Sequence, residues 1–134
     1  MIFILIDILI NYFSNITVYF FLINIILYKK EDYFKLLLLL IILDLLILDK
    51  FFLNTIILSV IFFIIKSLKI VKINLKNYIF CLTMIYCLYI TILGILNNYT
   101  IIYIIKYIIN NYLYNVIFYL LSYNIIKKRI KLSR

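Results

Sequence analysis

The sequence predicts an all-α fold: a polytopic integral membrane helix bundle with five transmembrane helices, or six if one of its long apolar runs folds back. Two observations carry that expectation. The chain is 69% hydrophobic with a mean hydropathy of +1.22, far above the roughly 45–50% apolar content of soluble domains. The apolar residues also come in uninterrupted runs parted by short lysine clusters, the layout expected of spans and loops. A length of 134 residues leaves room for one compact bundle, read as a transmembrane unit over 1–126 and a basic tail over 127–134.

A span needs about 20 apolar residues to cross a hydrocarbon core near 30 Å, or fewer where the bilayer adapts. Five runs approach that length, over 2–28, 33–48, 51–65, 78–96 and 99–126. The first lacks both a basic leader and a small-residue cleavage site, so it reads as a retained span and not as a signal peptide. The second and third are short and parted by Asp49-Lys50, which predicts a tight helical hairpin. The first and last carry polar interruptions, Asn11 to Asn15 and Asn110-Asn111, so each is either a tilted helix or a broken one.

Charge sets the expected orientation. Lys29, Lys30 and Lys35 follow the first run, Lys66, Lys69, Lys72 and Lys76 the third, and Lys127, Lys128, Arg129, Lys131 and Arg134 the last. These segments hold 12 of the 14 basic residues. The positive-inside bias places them in the cytoplasm, with the Asp49-Lys50 and Asn97-Asn98 turns outside. The amino terminus lies outside in the five-span arrangement and moves inside if the first run is a hairpin. A net charge of +9 could suggest nucleic acid, but charges that flank spans are accounted for by orientation and by attraction to anionic lipid. No nucleic-acid partner is expected.

Composition limits the weight of single residues. Isoleucine, asparagine, lysine, tyrosine and phenylalanine dominate, while alanine, proline, histidine and tryptophan are absent, as in a source whose DNA is very rich in A and T. Asn15-Ile16-Thr17 and Asn98-Tyr99-Thr100 match the glycosylation acceptor pattern, a match that chance supplies readily in so Asn-rich a chain.

Three charged residues stand inside apolar runs: Asp7, Asp44 and Lys106. There a charge costs about 2.5–3.5 kcal/mol on insertion scales, so it pairs or faces a polar cavity. Asp44 lies about 6 Å and Lys106 about 10 Å below the outer ends of their runs at 1.5 Å per residue. One expectation is therefore that Lys106 neutralises Asp44 or Asp7. The other is that the two aspartates sit near the interface and Lys106 snorkels outward on its long stem. Asn115 and Ser122, seven positions apart, share a helical face in the last run and read as polar glue between helices, at about 0.6 kcal/mol each.

Little supports catalysis. Without histidine a histidine base, a histidine metal ligand and the common triads are excluded. Cys81 and Cys87 point to different helical faces and find no further cysteine or histidine to complete a metal set, so neither a metal nor a cofactor is expected. Gly94 alone cannot form a phosphate-cradling loop or a GxxxG motif, and the helices are expected to pack through bulky side chains at wider spacing.

Over 28–69 the chain has a basic turn (Lys29-Lys30), an apolar span from Leu36 leading to Asp44, a short outer turn, and a third span closing on Lys66-Ser67-Leu68-Lys69. Near the carboxyl end Tyr112-Leu113-Tyr114-Asn115-Val116 leads through Tyr119-Leu120-Leu121 to Lys127-Lys128-Arg129. In these two segments the chain resembles the rod shape-determining protein MreD family of the bacterial cell-elongation machinery; over 70–98 only hydropathy agrees. It departs from that family in having Leu36 and Leu40 where glycines four apart are usual, and in lacking a proline early in the last span.

The resemblance implies a non-enzymatic element of the bacterial inner membrane. Its partners would be a single-span periplasmic cell-shape protein, an actin-like filament protein and the wall polymerase. Asp44 and Asn115 match recurrent polar positions of the family, and the basic tail would face the cytoplasm. The alternative expectation is a substrate-binding membrane subunit of an energy-coupling-factor-type vitamin transporter, with Asp7, Asp44 and Lys106 lining a polar pocket near the outer face.

Overall fold

A computed structural model describes residues 2–13, 19–47, 53–67 and 74–132. The described residues are helical nearly throughout and contain no strand. Six helices follow in order: α1 (Ile2–Phe13), α2 (Ile23–Leu27), α3 (Tyr33–Ile47), α4 (Leu53–Ser67), α5 (Leu75–Leu96) and α6 (Ile101–Leu132). Short 3-10 turns over Phe20–Leu22 and Lys30–Asp32 lead into α2 and α3. The Asp49-Lys50 turn lies outside the described residues.

Two helices, α5 and the Ile101–Lys128 part of α6, are long and apolar enough to cross a membrane. The 15-residue α3 and α4 are each about 22 Å long, short of a core near 30 Å.

The two long runs resolve differently. The run over 2–28 is not one helix. Helix α1 is described over Ile2–Phe13, and Tyr19, ahead of the 3-10 turn at Phe20–Leu22, is not helical. Phe21 donates its backbone N–H to Asp7 Oδ2 at 2.6 Å. That bond sets Phe21 beside α1, so the chain has turned back and does not continue past it. The last run, by contrast, stays helical through Asn110-Asn111 as the 32-residue α6. There Asn111 donates Nδ2 to the Tyr107 carbonyl at 3.0 Å, and Asn115 donates Nδ2 to the Asn111 carbonyl at 2.8 Å. The amides are thus satisfied within the helix and do not interrupt it. The helix also runs on through Lys127, Lys128 and Arg129, so the basic segment continues α6.

The α5–α6 connection is tight. Asn98, at φ 59°, takes the left-handed position that usually falls to glycine at the end of a helix. Its N–H donates to the Ile95 carbonyl and the N–H of Tyr99 reaches the Gly94 carbonyl, both at 3.0 Å, the paired bonds of a Schellman ending. Thr100 Oγ1 accepts the Tyr103 N–H at 3.4 Å and so caps the start of α6.

The core joins Leu22, Ile23 and Ile25 to Leu36, Leu40 and Leu43 of α3, Leu58, Ile61 and Phe62 of α4, and Leu82, Ile85 and Tyr86 of α5. Helix α6 is peripheral. Of the apolar stretch of α5, 39% is buried within the protein, and of that in α6 only 11%. Ile101, Ile105, Ile109, Leu113, Ile117, Leu121 and Ile125 recur at every fourth position and are all exposed, an apolar ridge that winds slowly around the helix. One point of α5 and α6 departs from the wide spacing expected of bulky side chains. A Cβ on Gly94 would meet Ile104 Cγ1 at 2.5 Å and Cδ1 at 2.6 Å, so the one glycine admits Ile104 against the α5 backbone.

Candidate functional site

The polar residues inside the apolar runs gather at the places where the helical path is interrupted, because each interruption leaves backbone N–H groups without a carbonyl partner. Asp44, near the end of α3, reaches across to the start of α4. Thr55 donates both its backbone N–H, at 2.8 Å, and its hydroxyl, at 2.6 Å, to Asp44 Oδ2. A carboxylate at a helix N-terminus satisfies orphan donors and meets the positive end of the helix dipole. This gives a buried charge, 8% exposed, a stabilising partner without a cation. The other oxygen, Oδ1, has no hydrogen-bond partner among the described residues.

Asp7 and Asn115 do the same for the segment that precedes α2. Asp7, 3% exposed, accepts the Phe21 N–H. Asn115, 0% exposed, accepts the Tyr19 N–H on Oδ1 at 2.9 Å. Tyr119 donates its hydroxyl to the Tyr19 carbonyl at 3.3 Å. Helices α1 and α6 thereby hold the non-helical backbone around Tyr19 from two sides, the condition under which irregular backbone is tolerated away from water.

Lys106 does not join this set. Its side chain is exposed on α6, while the hydrogen-bonded oxygens of Asp7 and Asp44 face backbone N–H groups. No ion pair joins Lys106 to Asp44 or Asp7: Asp44 meets the start of α4 instead, and Asp7 the Phe21 N–H of the 3-10 turn. The snorkelling alternative is the geometry that an exposed Lys106 permits.

Ser122, buried on the same face of α6 as Asn115, donates to the Tyr119 carbonyl at 2.8 Å. Its Oγ is also 2.8 Å from the Tyr78 hydroxyl of α5. With the Ser122 hydrogen used on the carbonyl, Tyr78 is the donor across the helix pair. Among the basic residues, Lys29, Lys30, Lys127 and Lys128 are exposed. Lys66 turns inward, donates Nζ to the Ile26 carbonyl at 3.0 Å and lies 5.5 Å from the centre of the Phe62 ring. Burial holds that ammonium below its ordinary pKa. Lys69 lies outside the described residues, and Arg129 is placed only as a residue of α6.

Tyrosine, common throughout the chain on compositional grounds, carries much of the polar contact between its elements. Tyr19 stacks edge-on or tilted against Phe21, Tyr86 and Tyr89 at 5.7–6.1 Å between ring centres. Its hydroxyl is 2.6 Å from that of Tyr107. Tyr89 donates its hydroxyl to Asn54 Oδ1 at 2.6 Å, joining α5 to α4. Beside the Asn98 turn Tyr19 and Tyr107 border a cavity of about 220 Å³, whose wall also includes Tyr99, Tyr103, Gly94, Asn97 and Ile104. None of the residues lining it is charged. The only advance signal was the crowding of tyrosine near 99–107.

Compared with protein-family models, curated proteins and solved structures, the chain matches none.

Proposed function

We propose that this chain is a multi-pass protein of the bacterial inner membrane that works by helix contacts and not by turnover, as a scaffolding component of the cell-elongation complex. The observation that carries the non-catalytic part is the use made of its buried polar groups: Asp7, Asp44 and Asn115 accept backbone N–H groups within the chain. Such groups hold a shape. The elongation complex itself is proposed from the resemblance of 28–69 and 112–129 to the MreD family, in which Asp44 and Asn115 are the matching polar positions.

In this reading the chain crosses the bilayer five times or six, and the basic clusters and the end of α6 face the cytoplasm. The turn after α1 favours the arrangement in which the first run is a hairpin and the amino terminus lies on the cytoplasmic side. The short α3 and α4 match a bilayer that thins locally. The partners would be a single-span periplasmic protein, an actin-like filament protein and the wall polymerase.

One observation favours a second reading, the substrate-binding subunit of an energy-coupling-factor-type vitamin transporter: a cavity of about 220 Å³ beside the turn assigned to the outer face. Isolating the tagged protein from its native membrane in mild detergent separates the two. Recovery of an actin-like ATPase with a single-span partner is the result expected of a cell-shape scaffold. Recovery of ATP-binding cassette subunits would replace that proposal with transport, and recovery of neither would remove both.

A further inference from the structure

We infer that the cavity beside the Asn98 turn is a binding site for an uncharged planar compound of one or two fused rings with a hydrogen-bond acceptor on its edge. The inference rests on the cavity alone and is independent of which membrane complex the chain serves.

Size comes first. A dry cavity of about 150 Å³ accommodates a benzene ring, so about 220 Å³ takes a substituted ring or a fused pair. Shape follows from the walls. Tyr99 and Tyr103 have ring centres 5.0 Å apart with planes inclined at 35°, and Tyr19 and Tyr107 belong to the same lining. Aromatic faces of this kind favour offset or edge-on contact with another ring, while Ile90, Leu93 and Ile104 supply an apolar side.

Charge decides between ligand classes. A tyrosine-lined cavity can also hold an organic cation against its ring faces. Here no carboxylate lines the cavity, the chain carries +9, and Lys106 directly precedes Tyr107, so a cation is disfavoured. An anion would find no basic side chain in the lining to replace its water. An uncharged ligand remains.

The hydrogen-bonding handle is the Tyr19–Tyr107 hydroxyl pair. Two hydroxyls 2.6 Å apart spend one hydrogen on each other, whichever donates. The second hydrogen stays available to an acceptor on the ligand. The oxygens also keep lone pairs for a donor, so the handle matches a ligand edge that carries an acceptor, such as a carbonyl or ring nitrogen, with or without a donor beside it.

The full-length protein in nanodiscs can be titrated with coumarin, a fused two-ring lactone, by equilibrium dialysis against empty nanodiscs. One saturable site is expected. The double variant Tyr19→Phe/Tyr107→Phe, which removes both hydroxyls and keeps both rings, weakens it roughly five- to tenfold. Leu93→Trp, whose indole occupies the cavity, abolishes it, and Ile117→Trp on the exposed ridge of α6 leaves it intact. Naphthalene, which lacks the acceptor, competes weakly, and tetramethylammonium not at all. Uptake no greater than that of empty nanodiscs, full affinity in Tyr19→Phe/Tyr107→Phe, or displacement by tetramethylammonium would each overturn the inference. If Leu93→Trp loses its helical circular dichroism, the double variant decides the outcome.

Discussion

The segment 2–47 and the α5–α6 hairpin are built from nearly the same residue types and solve the same problem in opposite ways. In the first, the helical path is broken at Tyr19, ahead of the 3-10 turn, and again between α2 and α3. Orphan backbone groups there are collected by Asp7 from α1 and Asn115 from α6. In the second, two long helices run unbroken, and Asn111, Thr83 and Thr91 bond back to Tyr107, Ile79 and Cys87 of their own helix, while Asn115 bonds back through Nδ2 and reaches Tyr19 through Oδ1. A buried polar side chain therefore has two quite different energetic roles in this chain. At an interruption it satisfies a donor that nothing else can reach, and within a helix it satisfies mainly itself.

That contrast orders the expected effects of substitution. The largest belongs to Asp44, where two donors converge on one oxygen. Asp44→Leu should cost about 2–3 kcal/mol, the scale of hydrogen bonds to a charged group, and should free the start of α4. Denaturant unfolding in detergent, read by circular dichroism, measures it. A loss no larger than that of an exposed leucine variant would break the distinction between the two regions. Gly94→Leu tests the hairpin by a different route. Its side chain must displace Ile104, at about 1–3 kcal/mol for overpacking, and should separate α5 from α6 in a disulfide-trapping assay between cysteines placed on the two helices.

Asn115→Ala should cost about 1 kcal/mol and should raise hydrogen exchange at Tyr19, whose N–H loses its acceptor; unchanged exchange there would show that Asn115 is not its support. Ser122→Ala removes one bond between continuous helices and should cost only about 0.6 kcal/mol. The smallest effect belongs to Lys106→Ala, which should leave unfolding unchanged within error. A loss comparable to that of Asp44→Leu would reinstate the ion pair that the geometry replaces with helix termini.

The sequence made the helical class, the Asn97-Asn98 turn and the general extents of α3 to α6 legible, because each depends on hydropathy and on local turn chemistry. It also placed Asp7, Asp44, Asn115 and Ser122 as the polar groups of consequence, and all four are buried. It did not show what they would do. Asp7 meets Phe21, Asp44 meets Thr55, and Asn115 meets Tyr19, and no local pattern announces a backbone N–H supplied from another part of the chain. Lys106 misled for a related reason. A lysine at matching depth is the obvious counter-charge on paper, whereas the partial charge at a helix start is invisible until the helix starts are known. The polar interruptions at Asn11–Asn15 and Asn110-Asn111 look alike in sequence. In the second, Asn111 and Asn115 bond carbonyls four residues back and the helix carries on past them, an outcome that the spacing of the asparagines does not announce.

Helix α6 has a mechanical consequence. Its 32 residues make a rod about 48 Å long, against a hydrocarbon core near 30 Å, and it is held to the rest of the protein mainly through α5 and the backbone around Tyr19. The Asn98 turn sits at one end and Lys127 and Lys128 near the other. The Ser122–Tyr78 bond and the buried Ile126 fasten it almost as far as the basic end, so the excess length must be absorbed by tilt of the whole bundle or by carrying Lys127 and Lys128 clear of the hydrocarbon.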